Sequence, residues 1–185
     1  SIKHRITSLS AARGEILVGT SLSQALIVSQ AEFQPFLVQE SHNGKINFVR
    51  FRDDDSQMFG VASEDCTIRF WDLKNRKVRV RVELGDQVAP KCFQVREELM
   101  FSGWADRSLR MHDLTSGKQI WCVENCQKGG VTTLELSRDS KNICTGGSDG
   151  TVRLWTLSTK NLICNLQEHA AEITKVKMIS GDTNL

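Results

Sequence analysis

Ser63-Glu64-Asp65-Cys66-Thr67-Ile68-Arg69-Phe70-Trp71-Asp72-Leu73 combines a turn, a strand and a closing Trp-Asp pair. Asp65 and Cys66 suit the turn, and the β-branched and aromatic run from Thr67 to Trp71 suits a strand packed on both faces. The pattern returns as Ala105-Asp106-Arg107-Ser108-Leu109-Arg110-Met111-His112-Asp113 and as Ser148-Asp149-Gly150-Thr151-Val152-Arg153-Leu154-Trp155. The turn aspartates Asp65, Asp106 and Asp149 are thus 41 and 43 residues apart. One such step back from Asp65 reaches Leu22, inside the degenerate copy Gly19-Thr20-Ser21-Leu22-Ser23-Gln24-Ala25-Leu26-Ile27-Val28. Self-similarity at this period predicts one supersecondary unit repeated along the chain.

The units are expected at about 1–40, 41–84, 85–126 and 127–168, with the start of another at 169–185. In the first, strands are expected at 6–9, 16–20 and 25–28, and Pro35 places a strand over 36–39 at an exposed edge. In the second, the polar turn Ser41-His42-Asn43-Gly44 precedes a strand over 46–51, which Asp53, Asp54 and Asp55 break. Lys77-Val78-Arg79-Val80-Arg81-Val82-Glu83 alternates strictly, with valines on one strand face and Arg79, Arg81 and Glu83 on the other. The third unit has a weak first strand over 88–95, interrupted by Pro90, and recovers at 99–104. The fourth is the most regular, and 173–178 reads as the first strand of the fifth.

The 185 residues are 39% hydrophobic and 25% charged, ordinary values for a globular chain with a sizeable core. With 24 Lys+Arg against 22 Asp+Glu, no global field commits the chain to nucleic acid or a membrane. The sequence has no apolar run of membrane-spanning length and no signal-peptide core near its start, so the expected setting is intracellular. Cys66, Cys92, Cys122, Cys126, Cys144 and Cys164 form no CxxC pair and no zinc-finger spacing. They read as reduced packing residues, and neither a metal nor a cofactor is expected. Gly146-Gly147-Ser148-Asp149-Gly150 lacks the Lys-Ser/Thr of a phosphate loop and reads as a tight turn.

Thr67-Ile68-Arg69-Phe70-Trp71-Asp72 and Thr151-Val152-Arg153-Leu154-Trp155 give the chain a specific resemblance to WD-repeat β-propellers. That resemblance implies an all-β WD40-type propeller, with about four blades covered and a fifth begun, as part of a larger ring. It also implies a structural relay in which the turn Asp holds a loop His and a small hydroxyl satisfies a Trp indole. The residues in that order are His42, Ser63, Asp65 and Trp71, with Asp106, Asp149 and Trp155 as partial copies. An enzyme would use His42, Asp65 and Ser63 as a catalytic set, but partial recurrence in other units favours structure. Gln127 stands at the loop-His position of the fourth unit and His112 at the Trp position of the third, so both latches are expected to be weaker.

The basic strand with Lys77, Arg79 and Arg81, helped by Lys74 and Arg76, reads as a charged edge or as a docking surface for an acidic protein or a phosphate backbone. No aromatic residues interleave with it, which speaks against single-stranded nucleic acid. Trp104, beside the Asp106 turn, is placed near a face of the disc, as packing or as a contact hot spot. A narrower resemblance rests on Ile6-Thr7-Ser8-Leu9, Leu17-Val18-Gly19-Thr20, Phe101-Ser102-Gly103-Trp104-Ala105-Asp106, Gly117-Lys118 and Gly130-Val131-Thr132. Together they resemble the cilia- and flagella-associated WD-repeat proteins of doublet microtubules. This implies a non-enzymatic scaffold on the cytoskeleton of the ciliary axoneme, a microtubule inner protein contacting tubulin and other axonemal proteins. The alternative is a soluble adaptor in the cytoplasm that recruits a peptide to a multisubunit enzyme.

Overall fold

A computed structural model describes residues 5–12, 14–32, 34–37, 42–52, 57–75, 77–84 and 87–179. Among them, sixteen strands form four antiparallel sheets, each a meander of four consecutive strands. The first blade holds β1 (Ile6–Ala12), β2 (Glu15–Thr20), β3 (Ala25–Ser29) and β4 (Pro35–Leu37). The second holds β5 (Ile46–Phe51), β6 (Met58–Ser63), β7 (Thr67–Asp72) and β8 (Val78–Glu83). The third holds β9 (Pro90–Arg96), β10 (Leu99–Trp104), β11 (Leu109–Asp113) and β12 (Gln119–Val123). The fourth holds β13 (Val131–Leu136), β14 (Asn142–Gly147), β15 (Val152–Thr156) and β16 (Leu162–Leu166). These are successive blades of a WD40-type propeller.

Three apolar layers separate the blades. Leu17, Ala25 and Ile27 meet Phe51, Phe59, Val61 and Trp71 in the first layer. Ile68, Phe70 and Val82 meet Phe93, Met100, Trp104 and Leu114 in the second, and Phe101 and Leu109 meet Val131, Leu134 and Ile143 in the third. A strand buried on both faces needs apolar residues at successive positions, and β6 is buried throughout its MFGVAS run. The outermost β8 instead alternates: Arg79, Arg81 and Glu83 are exposed while Val78, Val80 and Val82 turn inward.

The innermost strands β1, β5, β9 and β13 are neighbours in turn and are sewn together by side chains. Ser8 Oγ accepts from Val49 N at 3.1 Å and Ser10 Oγ from Phe51 N at 3.0 Å. Asn47 Nδ2 donates to Pro90 O at 2.9 Å, and Gln94 Oε1 accepts from Leu136 N at 2.8 Å. Each stitch satisfies a backbone group that its own sheet leaves open, because the innermost strand has a ladder partner on one side only.

Two expectations are corrected. Pro90 does not interrupt the third unit's first strand but begins it, where its missing N–H costs no ladder bond. Residues 173–178 form no strand, since extended backbone becomes a strand only by pairing and no described residue pairs with it. The segment is nevertheless docked. Thr132 Oγ1 donates to Ile173 O at 2.5 Å, Ile173 N donates to Gly147 O at 3.1 Å, and Ile173 is buried. The Asp53, Asp54 and Asp55 break, Ser41 of the polar turn, Gln39 of the edge strand and Arg76 of the basic strand lie outside the described residues.

Candidate functional site

The sequence-selected polar residues lie around the β6–β7, β10–β11 and β14–β15 hairpins. In each, a backbone bond closes a four-residue turn: Cys66 N to Ser63 O, Arg107 N to Trp104 O and Gly150 N to Gly147 O. The residue after the turn Asp has left-handed backbone, with φ of 68° at Cys66, 72° at Arg107 and 75° at Gly150. A turn followed by such a residue is a three-residue hairpin loop that favours glycine there.

Each turn carboxylate then organises its own strand. Asp65 Oδ1 accepts from Thr67 N at 3.1 Å and Thr67 Oγ1 at 2.7 Å. Asp106 accepts from Ser108 N at 3.0 Å, and Asp149 from Thr151 N at 3.2 Å and Thr151 Oγ1 at 2.7 Å. Four residues on, an arginine pairs with the same carboxylate: Arg69 at 3.2 Å, Arg110 at 2.5 Å and Arg153 at 4.0 Å. Burial works against the charge on Asp65, but hydrogen bonds from His42 and Thr67 outweigh it and hold the carboxyl well below the usual range.

The relays above these turns differ from blade to blade. In the second blade, His42 Nδ1 lies 3.0 and 2.9 Å from the two Asp65 oxygens, and its ring meets Trp71 edge-on at 5.5 Å. Ser63 is not the relay hydroxyl: its Oγ donates to Gly44 O at 2.8 Å and accepts from Asp65 N at 3.2 Å. Strand register shows why. Val61 stands opposite Arg69 as Ser102 stands opposite Arg110 and Thr145 opposite Arg153. The relay position is therefore four residues before the turn Asp, and in the second blade a valine fills it. Trp71 Nε1 and His42 Nε2 are both buried without a hydrogen-bond partner.

The fourth blade corrects the expectation of a weak latch. Gln127 is fully buried and replaces the histidine at both ends of the relay. Its Oε1 accepts from Thr151 Oγ1 at 2.7 Å, while Nε2 donates to Thr145 Oγ1 at 3.0 Å and Thr145 O at 3.1 Å. Trp155 Nε1 donates to the same Thr145 Oγ1 at 3.0 Å. An amide carries both an acceptor and a donor, so it spans the gap without titrating.

Trp104 takes the packing alternative and not the contact one: it is 0% exposed and sits in the apolar layer of the third blade. Its Nε1 donates to Ser102 Oγ at 2.8 Å, and Arg110 lies over its ring at 5.5 Å. A large side chain two residues before the turn Asp points into the blade layer, so Trp104 meets no partner on a face. His112, at the position of Trp71 and Trp155, is buried beside it, and desolvation followed by the Arg110 charge lowers its pKa to about 4.

On the outer strand, Arg79 and Arg81 are more than half exposed, yet each has a carboxylate partner. Arg79 reaches Asp72 at 2.6 Å and Arg81 reaches Glu83 at 2.6 Å. Asn75 N and Arg79 hold the Asp72 carboxyl below its usual range. The strand thus presents paired charges rather than a bare basic stripe, while Lys74 and Lys77 stand exposed near its start. The inner strands line an open cavity of about 690 Å³ with both signs of charge, where Arg50 faces Glu135 at 3.8 Å; Lys91 on its wall reaches out to Glu64 at 2.8 Å. Ser63 and His42 are buried and do not converge on that cavity. Among the described residues no three of His, Cys, Asp or Glu gather to hold a metal ion. Burial pushes the Cys126 thiol up to about 12 and the Cys144 thiol up to about 11.

The family model described as WD domain, G-beta repeat matches residues 33–72 and 115–156. Each match begins ahead of the outermost strand of one blade and ends on the third strand of the next, so a sequence repeat ties two blades together. Cilia- and flagella-associated protein 52 of Homo sapiens is 25% identical over 179 residues, covering 94% of this chain and 28% of that protein. The Mus musculus protein of the same name matches with the same identity and coverage. The chain therefore spans little more than a quarter of these curated relatives. A guanine nucleotide-binding protein subunit beta of Nicotiana tabacum is 29% identical over 123 residues, covering 62% of this chain and 32% of that protein. Among solved structures, the computationally designed Ika4 protein shares the fold with a TM-score of 0.71 and 20% identity, over 84% of this chain and 93% of that one.

Proposed function

We propose that the WD repeats of this chain form part of a non-catalytic scaffold of cilia or flagella, a propeller whose faces and rim hold tubulin and neighbouring axonemal proteins. The observation that carries this reading is the similarity to cilia- and flagella-associated protein 52, which runs through 94% of the chain rather than through one repeat. The geometry supports a scaffold in physical terms. Stitched inner strands and Asp-centred hairpins hold the loops rigidly while leaving their surface residues free to vary. The exposed outer strand with Lys77, Arg79 and Arg81 is the proposed rim contact, and repetition along a filament would multiply a weak contact into avidity. His42 and Ser63 are buried and spend their polar atoms on Asp65 and Gly44 O, which suits a structural latch.

The likeness to a G-protein β subunit favours a second reading, a soluble adaptor. Imaging the tagged full-length protein in a ciliated cell separates the two. The scaffold reading expects signal along the cilium, and a diffuse cytoplasmic or nuclear signal would put the adaptor first.

A further inference from the structure

The second blade has lost the hydroxyl that the third and fourth blades keep. Ser102 and Thr145 each accept an indole N–H, whereas Val61, at the same register position, offers only methyl groups. The consequence falls on His42. Its Nδ1 lies between the two oxygens of the Asp65 carboxylate and 3.2 Å from Thr67 Oγ1, so Nδ1 carries the proton. That leaves a bare lone pair on Nε2, which is buried and without a partner next to the equally unpartnered Trp71 N–H. A second proton on the ring would create an N–H with no acceptor, beside an indole that can only donate.

We propose that Val61 turns the second-blade latch into an acid-sensitive joint: a proton taken up at His42 Nε2 finds no acceptor and is accommodated by releasing the 42–45 loop from Asp65. The charged groups facing His42 are Asp65 in the β6–β7 turn, Arg69 on β7 and Arg81 on β8. Burial is the largest influence and opposes the imidazolium; Asp65 favours it, and the two arginines oppose it again. The net effect keeps the ring neutral in the folded blade and lowers its affinity for the proton. The released loop would give up the Asn43 N bond to Asp65 at 3.1 Å and the Ser63 bond to Gly44 O. The fourth blade, latched by Gln127, has no such response.

Hydrogen exchange of the full-length protein at pH 7.5 and 5.5, corrected for intrinsic rates, tests this joint. Peptides over 42–52 and 58–72 should lose about three- to tenfold in protection at pH 5.5, the ceiling for one histidine releasing to its ordinary pKa, while peptides over 142–156 change by less than about twofold. Val61→Thr, which supplies an acceptor, and His42→Gln, which copies Gln127, should each hold the second-blade loss within about twofold. Unchanged protection of the second blade in the unaltered protein would overturn the proposal. So would a loss in either variant as large as in the parent.

Discussion

Ile173 lies over Gly146, where a methyl group on the glycine would come within 2.6 Å of Ile173 Cγ2 and 2.8 Å of Thr133 Cγ2. The same fit recurs between Gly19 and Ile46 and between Gly103 and Val131. In all three cases the small residue sits three positions before the Asp65-equivalent turn position. It is the socket that receives the first apolar residue of the following unit. Gly146→Ala should therefore loosen the 172–179 segment, at a cost of about 1–3 kcal/mol from overpacking. Limited proteolysis should then cut within 172–179 faster than in the parent protein.

Cys66 and Arg107 occupy the left-handed turn position that Gly150 fills without strain. Cys66→Gly and Arg107→Gly should each stabilise the chain by about 0.5–1 kcal/mol, since relief of the left-handed strain exceeds the added freedom of the unfolded glycine. Denaturant midpoints should rise, with unchanged slope.

Gln127 makes three side-chain hydrogen bonds inside the fourth blade. Gln127→Ala would take both amide bonds from Thr145, while Thr151 Oγ1 keeps Asp149, and would leave a void in the buried relay; it should cost about 2–4 kcal/mol, an unmet buried bond being worth about 1–3 kcal/mol. Gln127→His, restoring the ring found at His42, should cost less. Chemical denaturation at pH 7.5 compares the two.

Stability should fall in acid, and His112 accounts for part of the slope. Its folded pKa of about 4 lies below the ordinary 6.5, so the folded state binds fewer protons than the unfolded chain between those values. Stability is therefore fully present above about pH 6.5 and declines as pH drops toward 4, by about 1–3 kcal/mol for this residue. His112→Phe should flatten that part of the curve, measured by denaturation at pH 7.5, 6 and 5.

Much of this architecture was readable because a period-two pattern and a turn Asp recur at nearly constant spacing, so β5 to β8 and β13 to β16 could be placed from their apolar runs. The relay was harder to read. Ser63 was the nearest hydroxyl in sequence, but cross-strand register, not proximity to Asp65, decides which residue faces the indole. The spacing of four before the turn Asp, shared by Ser102 and Thr145, was the available signal for Val61. Trp104 misled for the same reason, since its place next to a turn suggested a face while strand alternation sends it into the layer. The carboxylate partners of Arg79 and Arg81 depend on side-chain reach, which alternation does not encode.

The central claim is that the full-length protein is built into a cilium or flagellum as a scaffold. The most direct measurement is high-salt extraction of isolated axonemes followed by detection of the tagged protein. Distributed contacts across rigid faces predict that it remains with the washed doublets, with Arg79→Glu/Arg81→Glu showing weaker retention. Complete release of the unaltered protein into the salt wash would contradict the scaffold.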